Sequence, residues 1–213
     1  MATIPAAAQD DIIRAGQRLH QRGWVPATAG NISVRFDSPP GRIAITRSGG
    51  HKGYLTPDSV IEVGFDGACL TPGARPSAET LLHCQIYRAF PEARAVLHGH
   101  SIAGTVLSMI EPAPAITFTG YELFKAFAPQ RTHDTTLALP LFANDQNMQR
   151  LAAVVAPHLE TMTLGYYIRG HGSYVWATDI DAALARFEAL EFLLECELQR
   201  RQLAPTHRQE TPP

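Results

Sequence analysis

The period of the apolar positions changes along the chain, and each change marks an element. Between residues 9 and 22, Ile12, Ile13, Ala15 and Leu19 recur at helical spacing with charges opposite, which predicts an amphipathic helix ended by Gly23. Strand-like runs follow at 32–36, 42–47 and 60–65. A turn at Pro39-Pro40-Gly41 separates the first two, and Asp66-Gly67 closes the third as a hairpin turn. Pro76 to about Phe90 reads as a helix with Ser77 as its N-cap, and Glu79 falls in the first turn, where a carboxylate suits the helix dipole. The run at 93–97 predicts a short buried strand, followed by a helix at about 101–110 and a strand at 115–118. A helix is expected at 145–158 and strands at 161–168 and 173–177. The last helix, about 179–203, turns Leu184, Phe187, Leu190 and Leu194 inward and leaves Glu188, Glu191 and Glu195 mostly outside. The polar tail from Ala204 is expected to be loose.

Interleaved strands and helices without a repeat, linker or low-complexity segment predict one α/β domain spanning 1–213, with an ordered core at about 10–203. Composition sharpens this picture mainly by exclusion. A hydrophobic fraction of 45% supports an ordinary core, and a net charge of −2 with scattered Lys and Arg gives no reason to expect a nucleic-acid or membrane partner. No apolar run approaches a membrane span, and the first residues lack the basic and apolar regions of a signal peptide. Cys69, Cys84 and Cys196 are odd in number and far apart, which points to a reducing compartment and a soluble cytoplasmic protein.

Candidate chemistry gathers in a few short stretches. His98 and His100 lie one residue apart at the end of the predicted strand 93–97, so on extended backbone both imidazoles reach the same side and one ion. A chance pair in a turn is the competing reading. His171, between Gly170 and Gly172, suits a third ligand and equally a hairpin position. Three histidines with an open position would suit zinc, a Lewis acid for the carbonyl and adjacent hydroxyl oxygens of a sugar. The segments Thr28-Ala29-Gly30-Asn31-Ile32-Ser33 and Thr46-Arg47-Ser48-Gly49-Gly50-His51-Lys52-Gly53 are small-residue loops in which backbone N–H groups approach an anion, the second adding Arg47 and Lys52. Neither has the spacing of a nucleotide P-loop, and each also reads as a plain turn. His83 lies at i+4 from Glu79, but a packed or hydrogen-bonded helix histidine is the better reading. Glu122 sits among Tyr121, Leu123 and Phe124, a setting that raises a carboxyl pKa if it is buried, while an exposed glutamate at a helix start is the alternative.

Five of these motifs occur in one order over about residues 10–200: Thr28-Ala29-Gly30-Asn31-Ile32-Ser33, Thr46-Arg47-Ser48-Gly49, Pro76-Ser77-Ala78-Glu79, His98-Gly99-His100 and Gly170-His171-Gly172. Together they resemble the class II aldolase/adducin family. The resemblance implies a three-layer α/β/α fold with a central, mostly antiparallel sheet, and one zinc per subunit held by His98, His100 and His171. It also implies a sugar-phosphate substrate, with phosphate held by Asn31, Ser48, Gly49, Lys52 and Ser77, and a homotetramer with active sites near subunit interfaces.

Within the family, the loop Ser48 to Leu55, the run Cys84-Gln85-Ile86-Tyr87 and the position of Glu122, 24 residues after His98, are most similar to a branch that removes water from a pentulose phosphate. That likeness implies Glu122 as the main acid/base. Glu79 matches the general base of the aldolase members, so the chain carries both carboxylates, Glu79 being a second proton carrier or a zinc ligand in the empty site. Phe118, Tyr121 and Phe124 are candidates for the substrate's apolar end by proximity to Glu122. A fuculose-phosphate type aldolase or a pentulose-phosphate epimerase of the same fold is the alternative. A non-catalytic scaffold is a further one, against which the intact histidine set argues.

Overall fold

The computed structural model describes residues 4–36, 41–127 and 129–203. Pro39 and Pro40 of the expected turn and the tail from Ala204 lie outside them. The strands are β1 (Asn31–Phe36), β2 (Arg42–Thr46), β3 (Val60–Gly64), β4 (Ala95–Gly99), β5 (Ala115–Thr119), β6 (Thr136–Phe142), β7 (Tyr166–Ile168) and β8 (Gly172–Ala177). They form one eight-stranded sheet in the order β3-β2-β1-β4-β8-β7-β6-β5. Only the β6–β7 pair is parallel, so the sheet is mostly antiparallel. The helices are α1 (Ala6–Gln21), α2 (Thr80–Ala89), α3 (Ile102–Ile110), α4 (Met148–Val155) and α5 (Ile180–Leu203).

Side-chain alternation along the strands builds two separate cores, one on each face of the sheet. Ile32, Val34, Ala95, Leu97, Val175 and Ala177 pack with Ile12, Leu19, Leu107, Leu190 and Leu194, so α1, α3 and α5 cover that face. Ile43, Ile45, Val96, Tyr174 and Trp176 pack with Leu82, Ile86, Leu151 and Val155, so α2 and α4 cover the other. The result is a three-layer α/β/α architecture. Leu97 is fully buried at the centre of the first core. Its replacement by Ala should cost about 2–5 kcal/mol.

Three boundaries differ from those read in the sequence, each for a local reason. The helix expected from Pro76 begins at Thr80, with Glu79 at its N-cap and no side-chain cap bond. Ser77 is therefore not the cap. Its carbonyl accepts from the Thr80 N–H, and its hydroxyl turns to Glu79. The helix expected over 145–158 splits into α4 and a 3₁₀ stretch, Ala156–Thr161. That stretch takes the start of the expected 161–168 strand and leaves three residues as β7. Glu191, expected outside on α5, is buried with only 3% of its surface exposed.

Candidate active site

The site grows from the three central strands β1, β4 and β8. Val96 points to the α2/α4 face, so His98 two residues on does the same. In register, His98 lies between Asn31 of β1 and Tyr174 of β8. All three side chains share that face, and the Tyr174 ring stacks on His98 with centroids 4.2 Å apart. His100 follows just beyond the strand end, its backbone N–H donating to the Trp24 carbonyl at 2.6 Å. His171 sits in the tight β7–β8 connection, where its N–H donates to the Ile168 carbonyl at 3.0 Å. It is thus both the hairpin residue and a member of the histidine cluster.

Two glycines make this convergence possible. A Cβ on Gly172 would run into the Gly99 carbonyl oxygen and sit 2.8 Å from the His98 ring. Gly30 has φ +75°, and a Cβ there would lie 2.7 Å from the His98 carbonyl oxygen. Both positions let backbone approach the strand that carries the histidines.

The ligand atoms of His98, His100 and His171 lie within 4.8 Å of one another. His98 Nδ1–H donates to the Ser173 carbonyl at 2.9 Å, which leaves a lone pair on Nε2. That Nε2 is 2.9 Å from His100 Nε2. The His171 Nδ1 faces Asn144 Oδ1 at 3.4 Å, and its Nε2 faces Glu79 Oε1 at 3.7 Å. Burial, reinforced by the neighbouring imidazoles, holds His98 well below the usual histidine range. Burial and then His171 push His100 down to about 4. Burial lowers His171 as well, against the opposing pull of Glu79. Three neutral imidazoles aimed at one point fit a zinc-type centre with an open position. Among the described residues this is the one grouping of three or more His, Cys, Asp or Glu side chains close enough to hold an ion.

Beside the triad lies a cavity of about 270 Å³ whose walls include Thr28, Gly30, Ser48, Gly49, Lys52, Ser77, Glu79 and His100. The structure therefore brings both small-residue loops, Ser77 and Glu79 to one space. Larger cavities of about 460 and 490 Å³ are present, the second sharing Arg47 and Ser48 with this one, but no histidine of the triad lines either. Chemistry rather than size selects the smaller one. Four of the five expected phosphate contacts line it. The fifth, Asn31, stands behind, donating from Nδ2 to Ser77 Oγ at 3.0 Å and to Glu79 Oε2 at 2.8 Å. Lys52 is buried and donates to the carbonyls of Thr28 and Gly50, each at 2.7 Å, tying the two loops together. Burial lowers its pKa to about 8, with Glu79 opposing.

Glu122 is elsewhere. It opens the 3₁₀ stretch Glu122–Ala126, its side chain is 68% exposed, and it pairs with Lys125 and, at 3.7 Å, with His133. The Lys125 hydrogen bond holds its carboxyl below the usual range, the reverse of the expected elevation, because the group is exposed and burial does not outweigh that bond. Phe118 and Phe124 are fully buried in the core under α5 and present no free surface. Sequence reasoning overlooked Tyr174 and Asn144 and placed the buried Glu191 outside. Tyr174 was detectable in principle from its strand parity; the other two carry no local signal.

This fold, this sheet order and this triad define an α/β scaffold built around a three-histidine centre, and the chain belongs to the class II aldolase and adducin family, matching the description "Class II Aldolase and Adducin N-terminal domain" over residues 10–198. Among curated relatives, a methylthioribulose-1-phosphate dehydratase from Gluconacetobacter diazotrophicus is 63% identical over 93% of this chain and 96% of its own. One from Gluconobacter oxydans is 64% identical over 90% of this chain and 91% of its own. Among solved structures, L-fuculose-1-phosphate aldolase from Thermus thermophilus superposes with a TM-score of 0.74 at 26% identity, over 92% of this chain and 96% of that one.

Proposed function

We propose that this chain is a zinc-dependent hydro-lyase that converts 5-methylthioribulose 1-phosphate to 2,3-diketo-5-methylthiopentyl 1-phosphate and water, a step of methionine salvage. The observation that carries the reading is the single cavity joining the histidine cluster and Glu79 to the loops of Ser48, Gly49, Lys52 and Ser77. A reacting carbon and a phosphate would find complementary groups on the walls of this one cavity. The relatives named for this reaction support the choice of substrate.

Zinc held by His98, His100 and His171 would supply Lewis-acid polarisation of the substrate's C2 carbonyl. The chain's own groups do the rest. A carboxylate takes the C3 proton, and a carboxylic acid gives a proton to the departing C4 hydroxyl, which leaves as water. The resulting enol rearranges to the diketone. Glu122 is proposed as the main acid/base and Glu79 as a second proton carrier, or as a zinc ligand before substrate binds. Ser48, Gly49, Ser77 and Lys52 hold the phosphate, with Asn31 contributing from behind. The active assembly is proposed to be a homotetramer, and the exposed Glu122 would serve the cavity of a neighbouring subunit. The three cysteines are free, which supports a cytoplasmic location. No helix among the described residues is long and apolar enough to cross a membrane.

The test is turnover of 5-methylthioribulose 1-phosphate by protein of measured metal content. Diketone that disappears with chelator and returns with zinc supports the assignment. A fully zinc-loaded protein that forms none overturns it in favour of carbon–carbon cleavage, read as aldehyde released from fuculose or ribulose phosphates. The position of Glu79 beside His171 is what favours that second reading.

A further inference from the structure

His83 is fully buried on α2 and belongs to neither the histidine cluster nor the cavity wall. It nevertheless connects to the site through an unbroken set of polar contacts. Its Nδ1 lies 2.7 Å from Ser33 Oγ, and its Nε2 is hydrogen-bonded to Asn31 Oδ1. Ser33 is in turn met by Tyr87, whose hydroxyl donates to the Ser33 carbonyl at 2.9 Å and lies 2.9 Å from Ser33 Oγ. On the far side, Asn31 Nδ2 meets Ser77 Oγ and Glu79 Oε2.

The Glu79 contact and the neutrality of the buried ring together fix the protons. A carboxylate oxygen accepts, so the Asn31 NH₂ must face Glu79 and its carbonyl oxygen must face His83. His83 Nε2 must then carry the proton, and Nδ1 must accept from the Ser33 hydroxyl. Burial pushes the His83 pKa down to about 3, so the ring is neutral and has one donor and one acceptor to offer.

We propose that His83 is a positioning residue: by donating Nε2–H to Asn31 it locks the orientation of the Asn31 amide, which in turn fixes the Glu79 carboxylate at the open side of the histidine cluster. The proposal rests on the reading that Glu79 takes part in proton transfer or metal capture. Without the lock, the amide is free to rotate and present its oxygen to Glu79, and two acceptors would repel.

Two substitutions separate positioning from packing. In His83→Gln the amide nitrogen reaches the place of Nε2 and restores the donor to Asn31. In His83→Asn the shorter side chain serves only the Ser33 side. Both are measured for thermal stability, zinc content, kcat and KM, alone and combined with Glu79→Gln. We expect both proteins to fold and keep zinc. His83→Asn should lower kcat about 10–100-fold with little change in KM, the range in which misplacement of a reacting group falls. His83→Gln should recover most of that loss, and the effect of His83→Asn should vanish in the Glu79→Gln background. Equal loss in both variants, or a loss that simply multiplies with that of Glu79→Gln, overturns the proposal. A crystal structure of His83→Asn decides independently of turnover: Glu79 should leave Asn31, and an unmoved pair overturns the proposal. If the wild-type protein shows no dehydratase activity, the functional reading falls, and the position of Glu79 in that crystal structure still decides the role of His83.

Discussion

Glu79 and Glu122 carry the same carboxyl group into opposite surroundings. Glu79 is held by Asn31 and Ser77 beside His171, on the wall of a cavity lined within one chain. Glu122 stands in solvent with a flexible lysine for a partner. The first region is assembled by the central sheet and by buried hydrogen bonds. The second is a surface corner whose chemistry must come from what packs against it. The proposed metal site and phosphate cradle need fixed geometry, which the rigid part supplies. Glu122 would join the proposed chemistry only if a neighbouring subunit brought a cavity to it.

The largest expected effect comes from breaking the rigid region. His98→Ala should abolish zinc binding and lower kcat/KM by at least about a thousandfold, since a ligand and its hydrogen bond to Ser173 are lost together. Metal analysis and turnover read this directly, and an active zinc-free variant would sink the site. Glu122→Gln comes next. It should leave zinc bound and reduce kcat by roughly 10²–10⁴-fold, the usual contribution of a general acid–base. Near wild-type turnover would show that the exposed carboxylate is a bystander and that Glu79 does the work.

The buried Glu191 sharpens the contrast from the side of stability. Burial raises its pKa from 4.5 to about 7, against hydrogen bonds from Ser101 and Ser173. The unfolded chain releases this proton near the ordinary value, so between those limits the folded state binds more protons. Stability therefore falls as pH rises through that window and levels off above about 7. A gap of that size corresponds to about 3 kcal/mol at most. Glu191→Gln should be more stable than wild type at pH 8 and show a flatter pH dependence in urea unfolding. The histidines act in the other direction. His100 titrates near 4 when folded, so its contribution is present above the unfolded value of 6.5 and is lost as pH falls toward 4.

The smallest effect belongs to the surface corner. Lys125 holds Glu122 below its ordinary value, so Lys125→Ala should move the Glu122-dependent limb of the pH–rate profile upward by a fraction of a unit. An unchanged limb would mean that another group, rather than the ion pair seen within the chain, sets the Glu122 titration in the working enzyme.

Local pattern by itself determined much of this protein. Apolar periodicity located the helices and strands, because burial on one face imposes a period that a single segment displays. The spacing of His98 and His100 placed both rings on one side, because strand backbone alternates. The ordered motifs identified the family and named the members of the triad. Tertiary structure decided what no segment contains. It put Glu191 inside, although its helical position reads as exposed, because β8 and α3 close over that part of α5. It put Glu122 outside, although its neighbours are apolar, because Phe124 turns into the core without it. It set Asn31 of β1 between His83 of α2 and Glu79 at the N-cap of that helix, in one hydrogen-bonded line. Periodicity reports which face of an element is buried; only the packing of elements determines which buried or exposed groups meet.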